Sequence, residues 1–206
     1  MDDIDSYLDA LASSAPTPGG GSAAALVGAA GASLVAMVAR ITLESPRREA
    51  YHGAARPIAE EADRLRTALR GAGVRDEAAY AAVTRAQQLP RDTDPERALR
   101  AQALETALAH AADEPLAAAT LARDVLALCA RALALEHRGL ASDVGCAAEF
   151  ALASLRASAY NVRVNHRFMK DQATIARQAA RLEELEGEAD ETIARVRGGV
   201  DALLSG

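Results

Sequence analysis

The 206-residue sequence predicts an all-α protein, a single-domain multihelical bundle with a small-residue-rich central helix and no sheet. Three observations carry that expectation. Alanine, the best helix former, supplies 52 residues. Apolar residues recur at three- and four-residue steps through most of the chain, and no segment alternates with period two. Aromatic residues make up only 3% and Trp is absent, so the core must close by near approach of helices rather than around large rings. A chain this long buries roughly 70% of its unfolded surface and needs no staple.

The elements follow in order. Ile4, Tyr7, Leu8 and Leu11 form one apolar stripe of a short first helix, which the Pro16 to Gly21 run must break. A second helix is expected from about Ser22 to Leu43. Its row Ala24, Gly28, Ala32 and Ala36 lets a neighbour approach closely, which makes it the hub. Ser45-Pro46 reads as an N-cap with Pro in the first helical position, and Pro57 is expected to break or kink the helix near Arg56. Ile58, Ala62, Leu65 and Leu69 continue an apolar face that Gly71 and Gly73 should end. A further helix is expected from about Asp76 to Gln88. Thr93-Asp94-Pro95-Glu96 is a helix start, and Pro115 should start another helix, with Leu121, Val125, Leu128, Ala132 and Leu135 on one face. Ser142 should cap a long helix reaching about Met169. The last helix should run from Gln172 to Arg197, with Ile175, Leu182, Ala189 and Val196 seven apart and Gly198-Gly199 as its end.

Composition narrows the function. With 23 Lys and Arg against 29 Asp and Glu, the net charge is −6, which speaks against a nucleic-acid partner. Cys129 and Cys146 are too few for a disulfide framework or a zinc site and fit a reducing cytoplasm. Acidic residues open the chain where a signal peptide would be basic. The stretch from Leu11 to Ala39 is uncharged, but it is Ala- and Gly-rich, so a buried central helix is expected rather than a membrane span.

Four constellations could carry chemistry. Pro18, Gly19, Gly20, Gly21 and Ser22 lead into a helix, either as an anion-facing loop or as a tight packing turn. Neither a Rossmann nor a P-loop pattern accompanies them. Ser154, Ser158, Asn161 and Asn165 form an uncharged polar stripe, while Glu149, Arg156, Arg163 and Lys170 form a separate charged one. If the charges face water, the asparagines face inward, to bind neighbouring helices or an amide-like ligand. Asp143, beside Ser142, is either a helix-capping acid or a proton-transfer group. Asp76, one turn from Tyr80, is either an N-cap or a pocket acid, and Asp171 can cap the last helix. His52, His110, His137 and His166 lack metal-ligand spacing and are expected at the surface or in loops, so no metal site is predicted.

Taken together, these residues resemble the formiminotetrahydrofolate cyclodeaminase/methenyltetrahydrofolate cyclohydrolase family. The likeness runs in order through Pro16-Thr17-Pro18-Gly19-Gly20-Gly21-Ser22, Asp76-Glu77-Ala78-Ala79-Tyr80, Leu89-Pro90-Arg91, Ser142-Asp143-Val144-Gly145, Asn161-Val162-Arg163-Val164-Asn165 and Lys170-Asp171. Where the family carries a Gly-Lys-rich stretch, this chain has Thr42 to Arg48 without lysine, and Arg47 or Arg48 is left to supply the charge. The resemblance implies a helical homodimer that binds a tetrahydrofolate derivative and needs no cofactor beyond that substrate. It implies one of two reactions, loss of ammonia from the formimino form or hydrolysis of the methenyl form. Asp143, Asp76 and Tyr80 are then the proton-handling candidates. Pro18 to Ser22, Ser142, Asn161 and Asn165 are then the substrate-binding ones. The alternative is a non-catalytic folate- or partner-binding module on the same fold. The second helix and the Ile175, Leu182 and Val196 seam are expected to supply the dimer surface.

Overall fold

A computed structural model describes residues 4–205. Among them are six α-helices and no strand, so the all-α expectation holds. They are α1 (Ile4–Leu11), α2 (Gly20–Glu44), α3 (His52–Gln87), α4 (Asp94–Leu133), α5 (Ala141–His166) and α6 (Gln172–Ser205), with 3-10 turns at Pro46–Tyr51 and Arg138–Leu140. Helices α2 to α5 form the bundle, and α6 packs across α4 and α5.

As expected, α2 is the hub, and thirteen of its residues are buried. A Cβ on Gly28 would meet Ser154 and Leu69, and one on Gly31 would lie 2.9 Å from the Ala147 carbonyl. Small residues therefore set the spacing to α3 and α5, and tight packing offsets the ~1 kcal/mol that each helical glycine costs. Helix α2 is also long and apolar enough to cross a membrane, but 61% of its most apolar window lies inside the bundle.

Several expected helix ends prove to be packing contacts. Helix α3 passes through Pro57, Gly71, Gly73 and Asp76 without a break. Gly53, whose carbonyl Pro57 cannot reach, is an exposed residue, while Ala55 and Ile58 are buried and hold the helix. Gly73 lies against Ser22, where a Cβ would come 3.4 Å from the hydroxyl. Helix α6 continues through Gly198-Gly199, because Gly199 packs on Leu133. Helix α4 passes through a buried Pro115, and α5 stops at His166, short of Met169. At Thr93 the expected start is found as a capping box. Thr93 N donates to Glu96 Oε2 at 2.8 Å, and Glu96 N donates to Thr93 Oγ1 at 3.4 Å.

Two apolar stripes behave unlike one another. On α6, Leu182, Ala189 and Val196 are buried within the bundle, so that seam is used inside the chain and leaves no surface for a second copy. The α1 stripe is not buried: Ile4 and Leu8 are exposed, and α1 is tied to the bundle through Tyr7 Oη and Ser22 Oγ, 3.1 Å apart.

Candidate functional site

The glycines after Pro18 do not form a left-handed loop, since no glycine among the described residues has positive φ. The Thr17-Pro18 peptide is cis, Gly19 is the N-cap of α2, and Gly20 and Gly21 are already its first turn. No side chain caps that end and no acid lies in its first turn. The leading N–H groups of a helix lack intrahelical partners, so this terminus can receive an anion or a polar ligand. What the glycines provide is space. The Asp76 carboxyl occupies the position a Cβ on Gly21 would take, and the Asn161 amide lies 3.7 Å from the Cβ position of Gly20.

Asp76 is not an N-cap. It projects from the middle of α3, half-buried, towards the start of α2. Burial, with Glu77 and Glu114 nearby, pushes its carboxyl above the usual range. Tyr80 follows one turn later on α3 and is 47% exposed.

The polar stripe of α5 turns inward as expected. Ser154 and Ser158 are buried, Asn161 and Asn165 are half-buried, and Arg163 points out to pair with Glu186 at 2.6 Å. Asn161 Nδ2 donates to the Ala157 carbonyl at 2.9 Å. Asn165 Nδ2 donates to the carbonyls of Ala111 at 2.8 Å and Asn161 at 2.9 Å. Both amide oxygens remain available as acceptors. The interhelical reading of this stripe is realised in the bond from Asn165 to Ala111.

Ser142 and Asp143 are elsewhere. The N-cap of α5 is Leu140 without a side-chain hydrogen bond, so Ser142, one residue inside the helix, does not cap it. Asp143 is in the first turn. Helices α2 and α5 run antiparallel, with Gly20 beside Asn161 and Gly31 beside Ala147, so Asp143 sits at the far end from the glycine corner. Arg48 lies at that far end too. It donates to the Leu135 carbonyl and stacks on Tyr51 at 4.6 Å, so its charge is used by the fold; Arg47 is exposed.

Other positions were not visible from spacing. A cavity of about 840 Å³ runs between α3 and α4, floored by alanines and edged by Arg75, Arg85, His110 and Glu114. Its volume is in the range of small-molecule sites. Arg75 and Ala79 place it next to Asp76. His166 is not simply a surface residue: its Nε2 is 2.9 Å from Oε1 of the buried Gln178, which donates to Asp113 at 2.7 Å. Asp171 does cap α6, accepting from Ala173 N at 3.0 Å and Thr174 N at 3.2 Å. Glu105 accepts the backbone N–H groups of Lys170 and Asp171, the former at 2.8 Å, so the Lys170-Asp171 match marks a structural turn. Cys129 is buried, with its thiol pushed up to about 12, whereas Cys146 is exposed. Among the described residues no three His, Cys, Asp or Glu side chains gather as a metal site would require.

An all-α bundle with a half-buried carboxyl and an amide at a glycine-opened helix start defines a class without strand-borne phosphate motifs. The Formiminotransferase-cyclodeaminase family model matches residues 3–184, and the chain belongs to that family. It is 41% identical over 184 residues to a methenyltetrahydrofolate cyclohydrolase of Methylorubrum extorquens, covering 89% of this chain and 87% of that protein. It is 32% identical to the formimidoyltransferase-cyclodeaminase of Mus musculus over 90% of this chain, but spans only 34% of that longer protein. The crystal structure of the formiminotetrahydrofolate cyclodeaminase of Thermotoga maritima superposes with a TM-score of 0.87 at 25% identity, covering 98% of this chain and 97% of that one.

Proposed function

We propose that this chain is a folate one-carbon enzyme that hydrolyses methenyl-tetrahydrofolate to formyl-tetrahydrofolate. The observation that carries the reading is the Asp76 carboxyl, half-buried and raised in pKa against Gly21, with the Asn161 amide beside the adjoining Gly20. The choice of hydrolysis is supported by the likeness to the Methylorubrum cyclohydrolase over most of both chains.

In this reaction water adds to the methenyl carbon and a C–O bond forms. The water's proton passes to Asp76, giving a neutral tetrahedral adduct. One C–N bond then breaks, the adduct's hydroxyl proton moves to the leaving nitrogen, and formyl-folate forms with net release of one proton. A carboxyl held above its usual range is a stronger base for that proton than an ordinary one. The amide oxygens of Asn161 and Asn165 accept hydrogen bonds from the pterin's N–H edge, while Gly19, Gly20, Gly21 and Ser22 let the ligand come close to α2. Loss of ammonia from the formimino form is the second reading, supported by likeness to the Thermotoga enzyme. It passes through the same kind of carbon, with the proton going to departing ammonia.

No step calls for a cofactor beyond the tetrahydrofolate substrate or for a metal. The reading includes a cytoplasmic homodimer with no nucleic-acid or membrane partner, in keeping with the net charge of −6 and two cysteines. The test is methenyl-folate absorbance with the purified protein. Accelerated loss establishes hydrolysis, and formation from formimino-folate establishes deamination. Folate binding without either change would identify a non-catalytic module.

A further inference from the structure

Among the described residues no hydrogen bond or ion pair reaches the Asp76 carboxyl, although an arginine directly precedes it in α3. An arginine in a helix is able to pair with the acid that follows it. The same dipeptide occurs on α4 as Arg123-Asp124, and there Arg123 Nε donates to Asp124 Oδ1 at 2.9 Å while its Nη1 reaches Glu188 of α6. At Arg75-Asp76 the Nε is turned to another helix instead. It donates to Glu114 Oε2 of α4 at 2.8 Å.

Three features hold Arg75 there. The Glu114 side chain is only 14% exposed, so its carboxylate would be stranded without a cation. His110 Nε2, 3.8 Å from Glu114 Oε1, is itself exposed and is the weaker partner. Gly71, one turn before Arg75, leaves room for the guanidinium, since a Cβ there would lie 3.2 Å from Arg75 Nη1. The side chains of Arg75 and Asp76 also leave α3 about 100° apart. Arg75 edges the cavity between α3 and α4, and Asp76 stands against Gly21 of α2.

The charges around Asp76 are therefore one-sided. Glu77 follows it on α3 and shares the cavity below α1 with Arg70, and Glu114 acts on it from α4; with burial, both acids push its carboxyl up. Helix α2 carries no acid in its first turn, α5 brings the Asn161 amide, and α1 brings Tyr7, bonded to Ser22.

We propose that Glu114 is a positioning residue: it draws Arg75 to the cavity side of α3 and so keeps a cation off Asp76, leaving that carboxyl free to accept the proton of the attacking water. The inference rests on the role given to Asp76 above and names the residue that maintains it. Arg75 bound to Asp76 would favour the ionised carboxylate and make it a weaker base. Glu114 thus acts twice, through its own charge and through the cation it removes.

The proton of Asp76 is followed directly by carbon NMR of its carboxyl over a pH series, the signal being the one that Asp76→Asn removes. Glu114→Ala is expected to move the titration midpoint to lower pH. Arg75→Ala alone should leave the midpoint in place or raise it. In the Glu114→Ala background the same replacement should raise it by more, because Arg75 is there free to pair with Asp76. Thermal melts confirm that each variant is folded. A midpoint unmoved by Glu114→Ala, or an equal effect of Arg75→Ala in both backgrounds, would overturn the proposal. Turnover gives a second readout, since the acid limb of kcat/KM against pH reports the base of the free enzyme. In Glu114→Ala this limb should shift to lower pH with the NMR midpoint, and kcat on the plateau should fall by less than the roughly 100-fold expected of Asp76→Asn. Adding Arg75→Ala should bring the limb back towards its wild-type place. A limb that stays put while the NMR midpoint moves would leave the hold of Glu114 on Arg75 standing and sink instead the role of Asp76 in the hydrolysis.

Discussion

Asn165 supplies the hydrogen bond that Pro115 cannot. Pro115 has no N–H for the carbonyl of Ala111, four residues earlier in α4, and Asn165 Nδ2 reaches that carbonyl from α5 at 2.8 Å. The side chain that the sequence suggests as a ligand contact thus also repairs a helix. Asn165→Leu leaves a carbonyl unpaired between the helices and is expected to cost about 1–3 kcal/mol. Pro115→Ala restores the intrahelical bond, so the double variant should lose less than the single one. Denaturant unfolding of the four proteins checks the pair.

Gly21 and Asp76 are expected to couple in the same manner. A methyl group at Gly21 collides with the Asp76 carboxyl, so Gly21→Ala should cost about 1–3 kcal/mol or drive Asp76 out of its place. Asp76→Ala removes the obstacle. Unfolding energies that fail to add across this double-mutant cycle are the expected outcome, and simple additivity would show that Gly21 serves only the turn.

The raised pKa of Asp76 gives a pH signature. The folded chain holds this proton more tightly than the unfolded chain, whose carboxyl titrates near 3.8. Its contribution to stability is therefore complete below that value and is lost as pH rises through the higher folded value. Asp76→Asn removes this loss. The variant should melt at a higher temperature than wild type at neutral pH and show a flatter dependence of stability on pH in the acid range. Its turnover should fall roughly 100-fold, as expected when a proton-transfer group is removed. Thermal melts over a pH series, with turnover on the same preparation, test both halves.

The sequence shows the helices more clearly than their ends. Periodicity identifies the buried faces, such as Leu65 and Leu69 or Leu182 and Val196, because burial depends on spacing alone. Pro57, Pro115, Gly73 and Gly199 mislead because a proline or glycine breaks a helix only where nothing compensates. Here compensation comes from exposure at Gly53, and elsewhere from an amide of α5 and close-packed partners that residues distant in sequence supply. The same limit applies to the site. Asn161 can be placed on the inward stripe from its angle to Arg163. Which carboxyl stands beside it depends on how α2, α3 and α5 meet, and that favours Asp76 over Asp143 within one chain. The α3–α4 cavity is lined largely by alanines, which read in sequence as ordinary helix.

Asn161 and Arg163 offer the cleanest separation of site from scaffold. They are two residues apart on α5, so their side chains diverge by about 200°. Asn161 faces the start of α2, and Arg163 forms an exposed pair with Glu186. Exposed pairs contribute about 0–1 kcal/mol, so Arg163→Leu should shift the melt slightly and leave turnover intact. Asn161→Leu is nearly equal in volume but removes an amide oxygen with no partner inside the protein. Folding should survive at a cost of about 1 kcal/mol for the lost bond to Ala157. A ligand donor facing the leucine would then be left unpaired, and such a group loses about 1–3 kcal/mol. That corresponds to a KM raised roughly 5- to 150-fold if the contact forms with the bound substrate, or to a fall in kcat of that size if it forms only in the transition state. Steady-state kinetics on both variants at matched stability distinguishes these outcomes, and equal kinetics for the two would remove Asn161 from the site.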